Sequence, residues 1–249
     1  MKKIISGIIL ITLCIGAFIL LGGDSKKQSD TGKKSTQPRS FNKTEHSIDE
    51  PSSIWIVVNK HRPLQPAGYV PSDLVAPNVP LRLNAEEPEM QLRKEAAGAL
   101  ETLVAGAKKD NLSLMVASAY RPYTFQQNLY NRYVVQQGQA AADTQSARPG
   151  HSEHQTGLAV DLEPTNQKCE VETCFADTPE GKWVAKNAYT YGFILRYQDG
   201  KDDETGYMYE PWHLRYVGKS LATELHRIGN PTLEQFFNLD PAPDYPTVR

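Results

Sequence analysis

In Ser152-Glu153-His154-Gln155-Thr156-Gly157-Leu158-Ala159-Val160-Asp161-Leu162, three apolar residues alternate with Ala159 and Asp161. On a strand, where successive side chains take opposite faces, Leu158, Val160 and Leu162 turn to a core and Asp161 turns away from it, beside an alanine too small to obstruct it. Asp161 therefore faces a cleft. His154 lies just ahead of the strand, and Gly157 between them lets the backbone turn where a Cβ would resist. Both side chains can then converge on one point.

About fifty residues on stands Glu210-Pro211-Trp212-His213, which opens a second alternating run over residues 212–217. Pro211 pushes Glu210 out of the helical region, so Glu210 and His213 are not displayed one helical turn apart as in H-E-x-x-H peptidases. His154, Asp161 and His213 make a two-imidazole, one-carboxylate donor set of the kind that holds a single Zn2+ with an open position. Glu210 is a spare carboxylate that reaches over the metal and serves as general base. The other histidines have plainer settings: His46 in a polar stretch, His61 in a loop and His226 on a late helix, with His151 the nearest competitor of His154.

Three stretches carry a family resemblance: Ser118-Ala119-Tyr120-Arg121, Ser146-Ala147-Arg148-Pro149-Gly150-His151 running on into Ser152–Gly157, and Tyr209-Glu210-Pro211-Trp212-His213-Leu214-Arg215. From about residue 55 to 237 the chain resembles the VanY-type D-alanyl-D-alanine carboxypeptidases and their L,D-carboxypeptidase relatives. The resemblance implies a peptidoglycan stem peptide as substrate and a terminal D-alanine as the residue removed. It assigns Arg121 to the substrate's carbonyl or carboxylate, as a catalytic and binding group, and places Gln126, Ser152 and Tyr197 along the substrate cleft. Related enzymes share these motifs and differ in whether the substrate is a pentapeptide (D,D) or a tetrapeptide (L,D). A zinc-binding module that holds a cell-wall peptide without cutting it has no need of Glu210. An endopeptidase would need an open-ended cleft.

The chain has 249 residues, 39% of them hydrophobic, and a formal charge of -2, which is ordinary globular composition. Lys2 and Lys3 precede an uncharged apolar run over residues 4–23 with no small-x-small cleavage site, so residues 1–23 read as a single-pass membrane anchor, with a cleaved signal peptide and secretion as the second reading. Residues 24–50 are polar and read as a flexible tether, leaving residues 51–249 as the catalytic domain with its site outside the cytoplasm. That domain carries 19 basic and 24 acidic residues, a balance that makes it a poor candidate for binding nucleic acid or anionic lipid. Oligomeric state is not readable. Cys169 and Cys174 are spaced more widely than C-x-x-C and have no further ligand nearby, which favours a short disulfide loop over a metal site and fits an oxidising compartment.

Residues 54–58 (Ile-Trp-Ile-Val-Val) read as a first strand, 90–109 as an amphipathic helix, 112–119 as a strand, and 124–137 as a helix capped by Thr124 and ended by Gly138. A helix over 178–191 with Thr178 as cap and Pro179 in its first turn, a strand over 193–197 and a helix over 219–228 follow. Helices and strands mix without regular βαβ alternation. The expectation is an α+β fold, with a mainly antiparallel central sheet flanked by helices and the zinc site in a cleft on that sheet.

Overall fold

A computed structural model describes residues 41–247. The expected anchor over residues 1–23 and most of the expected tether lie outside the described residues, and among those described no helix is long and apolar enough to cross a membrane. Residues 41–50 belong to the folded unit, which corrects the end of the tether. Phe41 stacks on Trp55 with ring centroids 5.7 Å apart, and the Val57 N–H donates to the Ile48 carbonyl at 3.0 Å. His46 also packs edge-on against Trp55 with ring centroids 4.9 Å apart, and Arg62 donates to the Ile48 carbonyl at 2.9 Å, so aromatic and polar contacts together dock this polar stretch.

In chain order the elements are β1 (Leu74–Val75), β2 (Leu92–Arg93), α1 (Lys94–Lys109), β3 (Leu114–Ser118), α2 (Tyr123–Gln137), α3 (Gln139–Gln145), β4 (Ala159–Pro164), α4 (Pro179–Asn187), β5 (Phe193–Leu195), α5 (Asp202–Thr205), β6 (His213–Tyr216), α6 (Gly218–Arg227) and α7 (Leu233–Phe237). The main sheet has the order β3-β4-β6-β5, and every neighbouring pair is antiparallel. The expected α+β architecture is present. The main core packs α1, through Ala96, Leu100 and Leu103, against Val116, Val160, Leu162 and Leu214 of the sheet.

The run over 54–58 is not a strand. Its odd and even residues serve two cores: Ile56 and Val58 enter the main one, while Trp55 and Val57 enter a second built on Leu221, Leu225 and Phe236. The carbonyls of Ile54 and Ile56 accept from the Arg215 guanidinium at 3.1 and 2.7 Å, so a side chain satisfies backbone that a sheet partner would otherwise satisfy. Alternation here marks an extended spacer between two apolar layers.

The first long helix starts at Lys94, four residues later than its pattern predicts, because Leu92 and Arg93 pair with Val75 and Leu74 as a short ribbon. Thr124 caps nothing. Helix α2 begins at Tyr123, directly after Pro122, whose extended backbone sets the entry with no side-chain cap bond. Thr178 does cap α4, accepting from the Gly181 N–H, and that helix passes into a 3-10 turn at Ala188. Helix α7 carries a capping box between Thr232 and Gln235 that was readable as T-x-x-Q.

Candidate metal centre

Pairing of β4 with β6 sets Asp161 directly opposite His213, and pairing with β3 sets Ser118 opposite Asp161. A register irregularity falls between Val116 and Ser118, at the point where β3 reaches the site. His154 sits in a 3-10 turn over Glu153–Thr156, which Gly157 closes in the left-handed region at φ 67°. Any Cβ at Gly157 would also approach Arg93 Cγ and Leu74 Cδ2 to 3.0 Å, so glycine is required on both counts.

His154, Asp161 and His213 are all buried, and one potential ligand atom from each lies within 4.8 Å of the others. Asp161 is the hinge of the group, with Oδ2 3.3 Å from His154 Nε2 and Oδ1 3.2 Å from His213 Nδ1. The far nitrogens identify which ring atoms are free to take a metal. His154 Nδ1 lies 2.6 Å from the Ala119 carbonyl, to which it donates, so Nε2 keeps its lone pair for the centre. His213 Nε2 faces Glu153 Oε2 at 3.5 Å, leaving Nδ1 inward. Asp161 Oδ1 is buried with no hydrogen-bond partner, an orphaned acceptor that a cation would satisfy. Two imidazoles with opposite inward nitrogens, one carboxylate and an unpaired oxygen fit a zinc ion.

Glu210 stands beside this set, with Oε2 3.6 Å from His213 Nδ1. It does not lie on a helix; the His213 N–H closes a turn back to the Glu210 carbonyl at 3.1 Å. Burial pushes the Glu210 carboxyl up to about 7, against the pull of His213, which is where a proton shuttle at neutral pH needs to be. Burial likewise pushes His154 down to about 4, and Arg121 adds to it. For His213 burial acts downward but is outweighed by Asp161 and Glu153, which raise it to about 9. Asp161 is held well below the carboxylate range: burial opposes this, and His154, His213 and Arg121 prevail.

The other predicted residues fall around a cavity of about 410 Å³. Arg121 lines it and donates to Asp161 Oδ2 at 2.9 Å and to Ser118 Oγ at 3.0 Å. Ser152 and Tyr197 line it as well, Tyr197 packing its ring 4.8 Å from that of His213. Gln126 stands behind the lining: it is wholly buried and donates to Ser146 Oγ at 3.1 Å and the Ala147 carbonyl at 2.7 Å, both residues of the cavity wall. Trp212 both lines the cavity and packs into the core. His151 turns away, its Nδ1 2.9 Å from the Asn59 carbonyl. Cys169 and Cys174 are bonded, and their loop contributes Val171, Glu172 and Thr173 to the lining.

Sequence reasoning missed the layer beneath. Glu153 Oε1 accepts from Arg196 at 2.8 Å and from Arg215 at 2.9 Å, and Arg196 forms a two-pronged pair with Glu234 at 2.9 and 2.7 Å. All four side chains are buried. Period-two reading could have found part of it, since Arg215 shares a face of β6 with His213. The pairing with Glu153 and Glu234 joins segments distant in sequence and had no local signal.

A family model described as VanY, D-alanyl-D-alanine carboxypeptidase, matches residues 89–219. The Bacillus subtilis (strain 168) protein YodJ is 41% identical over 86% of this chain and 80% of its own length. Among solved structures, the LdcB LD-carboxypeptidase aligns with a TM-score of 0.72 at 44% identity, covering 76% of this chain and 87% of that one. A mutant of the vancomycin-resistance D,D-pentapeptidase VanY in complex with Zn(II) aligns with a TM-score of 0.61 at 32% identity, covering 74% of this chain and 98% of that one.

Proposed function

Because this chain belongs to the VanY D-alanyl-D-alanine carboxypeptidase family, we propose that it is a zinc-dependent D,D-carboxypeptidase releasing the terminal D-alanine of peptidoglycan stem peptides. The observation that carries the reading is the convergence of His154, Asp161 and His213 with Glu210 beside them. His154 through Nε2, Asp161 and His213 through Nδ1 would hold one ion. When bound, zinc supplies the Lewis acidity that makes water a nucleophile near neutral pH and polarises the scissile carbonyl.

Glu210 accepts the proton of the attacking water and hands it to the leaving amine, a double role that suits a carboxyl raised by burial. Arg121, largely buried but open to the cavity beside Asp161, offers its guanidinium to the substrate's carbonyl oxygen or terminal carboxylate. Ser152 and Tyr197 bound the space beside the reacting bond. Gln126 keeps the Ser146–Ala147 wall in place.

An L,D-carboxypeptidase acting on tetrapeptide stems is the second reading. It is favoured by the greater likeness to the LdcB LD-carboxypeptidase than to the D,D-pentapeptidase complex. Mass spectrometry of zinc-loaded protein with pentapeptide and tetrapeptide stems separates them: loss of one alanine from the pentapeptide alone supports D,D activity, and loss from the tetrapeptide supports L,D. No cleavage of either by zinc-loaded protein would overturn both. The apolar run over residues 4–23 and the Cys169–Cys174 bond support a membrane-anchored enzyme with its site outside the cytoplasm. Accessibility of an epitope in residues 41–247 to protease on intact cells tests that placement.

A further inference from the structure

Residues 240–247 follow α7 as an irregular strap beyond the residues matched by the family model. The strap is fastened at several points. The Ala242 N–H donates to the Glu204 carbonyl at 2.9 Å, and His61 Nε2 lies 2.9 Å from the Asp244 carbonyl. The Lys60 side chain is buried and donates through Nζ to the Pro243 carbonyl at 2.7 Å. That ammonium also sits over the rings of Tyr207 and Tyr245, 5.1 and 5.6 Å from their centroids.

Tyr245 is the point at which the strap meets the cavity's surroundings. Its Oη accepts from the Arg148 backbone N–H at 2.7 Å, its ring lies 4.0 Å from the Arg148 guanidinium carbon, and its edge meets His151 with centroids 5.0 Å apart. On the other side its Oη is 3.5 Å from that of Tyr207. Arg148 is in turn locked to Asp143 of α3 by two hydrogen bonds at 3.0 and 2.8 Å, and Asp143 accepts from Tyr130 of α2 at 2.7 Å. Ser146, Ala147 and Ser152 flank Arg148 and His151 in the cavity lining, and Tyr207 and Met208 supply a separate part of it. One side chain therefore braces two parts of the lining that are about sixty residues apart in sequence, without itself lining the cavity.

We propose that Tyr245 is a positioning residue for substrate: the C-terminal strap clamps the 146–152 loop and Tyr207 in the spacing that the bound peptide needs. The proposal rests on the reading of this cavity as the substrate cleft. It contributes to binding and not to the chemical step, because Tyr245 touches none of His154, Asp161, His213 or Glu210. A loosened loop costs affinity, because binding must then order a lining that the strap otherwise holds in place.

The test uses the zinc-loaded full chain and the Tyr245→Ala and Tyr245→Phe variants, measuring kcat, KM, bound zinc and amide exchange over residues 146–152. Tyr245→Ala is expected to raise KM about tenfold with kcat within twofold and zinc unchanged, and to speed exchange in the loop. Tyr245→Phe keeps the stacking on Arg148 and loses only the phenolic acceptor, so it should fall between. Unchanged KM in both variants, or activity lost only in proportion to zinc or folded protein, would overturn the proposal. If the wild-type chain itself cleaves no stem peptide, the functional reading fails on its own. Loop exchange then decides the clamp: faster exchange in Tyr245→Ala supports it, and unchanged exchange rejects it.

Discussion

Two clusters of charged and titratable side chains meet at one residue, Glu153. Beneath, Glu153 Oε1, Arg196, Arg215 and Glu234 satisfy one another by paired, charge-assisted hydrogen bonds in the interior. Above, His154, Asp161 and His213 are also buried, with Glu210 partly exposed beside them, but the group is incompletely paired, with Asp161 Oδ1 and His213 Nε2 lacking hydrogen-bond partners. Satisfied charges hold a shape, whereas unsatisfied ones are held open for something that arrives. Glu153 joins the two, giving one oxygen to the arginines and facing His213 with the other.

The most direct way to break this contrast is to remove a member of the upper cluster. Asp161→Ala or His154→Ala should abolish zinc retention and activity together, with metal analysis after dialysis as the measurement. Glu210→Ala should keep the zinc and lower kcat by about a thousandfold, the range of a lost acid–base group. A fully active Glu210→Ala would sink the assigned role.

The lower cluster should answer differently. Glu234→Gln leaves Arg196 with half its neutralisation and should cost about 3–5 kcal/mol in denaturant unfolding, while zinc affinity in the surviving folded protein changes little. Glu153→Gln should lose comparable stability and also weaken zinc roughly tenfold to a hundredfold, because it alone supports His213 from behind. Equal zinc affinities in the two variants would erase the distinction drawn between them.

A smaller effect sharpens the comparison further. Burial alone would raise the Glu234 carboxyl, but the Arg196 fork and the Asn59 amide hold it below its ordinary value of 4.5. A carboxyl depressed on folding stabilises the fold fully above its unfolded pKa and loses that contribution as pH falls through the folded one. The stability gap between the wild type and Glu234→Gln should therefore be constant from about pH 5 upward and narrow below about pH 4.5, as followed by urea unfolding in acid.

Much of this protein is local in origin. The alternation of Leu158, Val160 and Leu162 against Asp161, the turn at Gly157, the proline that takes Glu210 off a helix, and the cap at Thr178 each depend on neighbours a few residues away. Sequence alone therefore pointed to His154, Asp161, His213 and Glu210 as one group, and to the kind of sheet that carries it. What needed tertiary structure was whatever depends on partners far along the chain. Residues 54–58 have strand-like alternation, yet Arg215 takes two of their carbonyls and the segment becomes a spacer between two cores. Phe41 joins the fold because Trp55 and Phe236, distant along the chain, present rings to it. Which nitrogen of His213 turns inward follows from Glu153 behind it, and the spacing of the cavity lining follows from a tyrosine near the C-terminus. A side chain's type and period set its face, but its partner across the fold sets its role, because hydrogen bonds and ion pairs are satisfied in space and not along the chain.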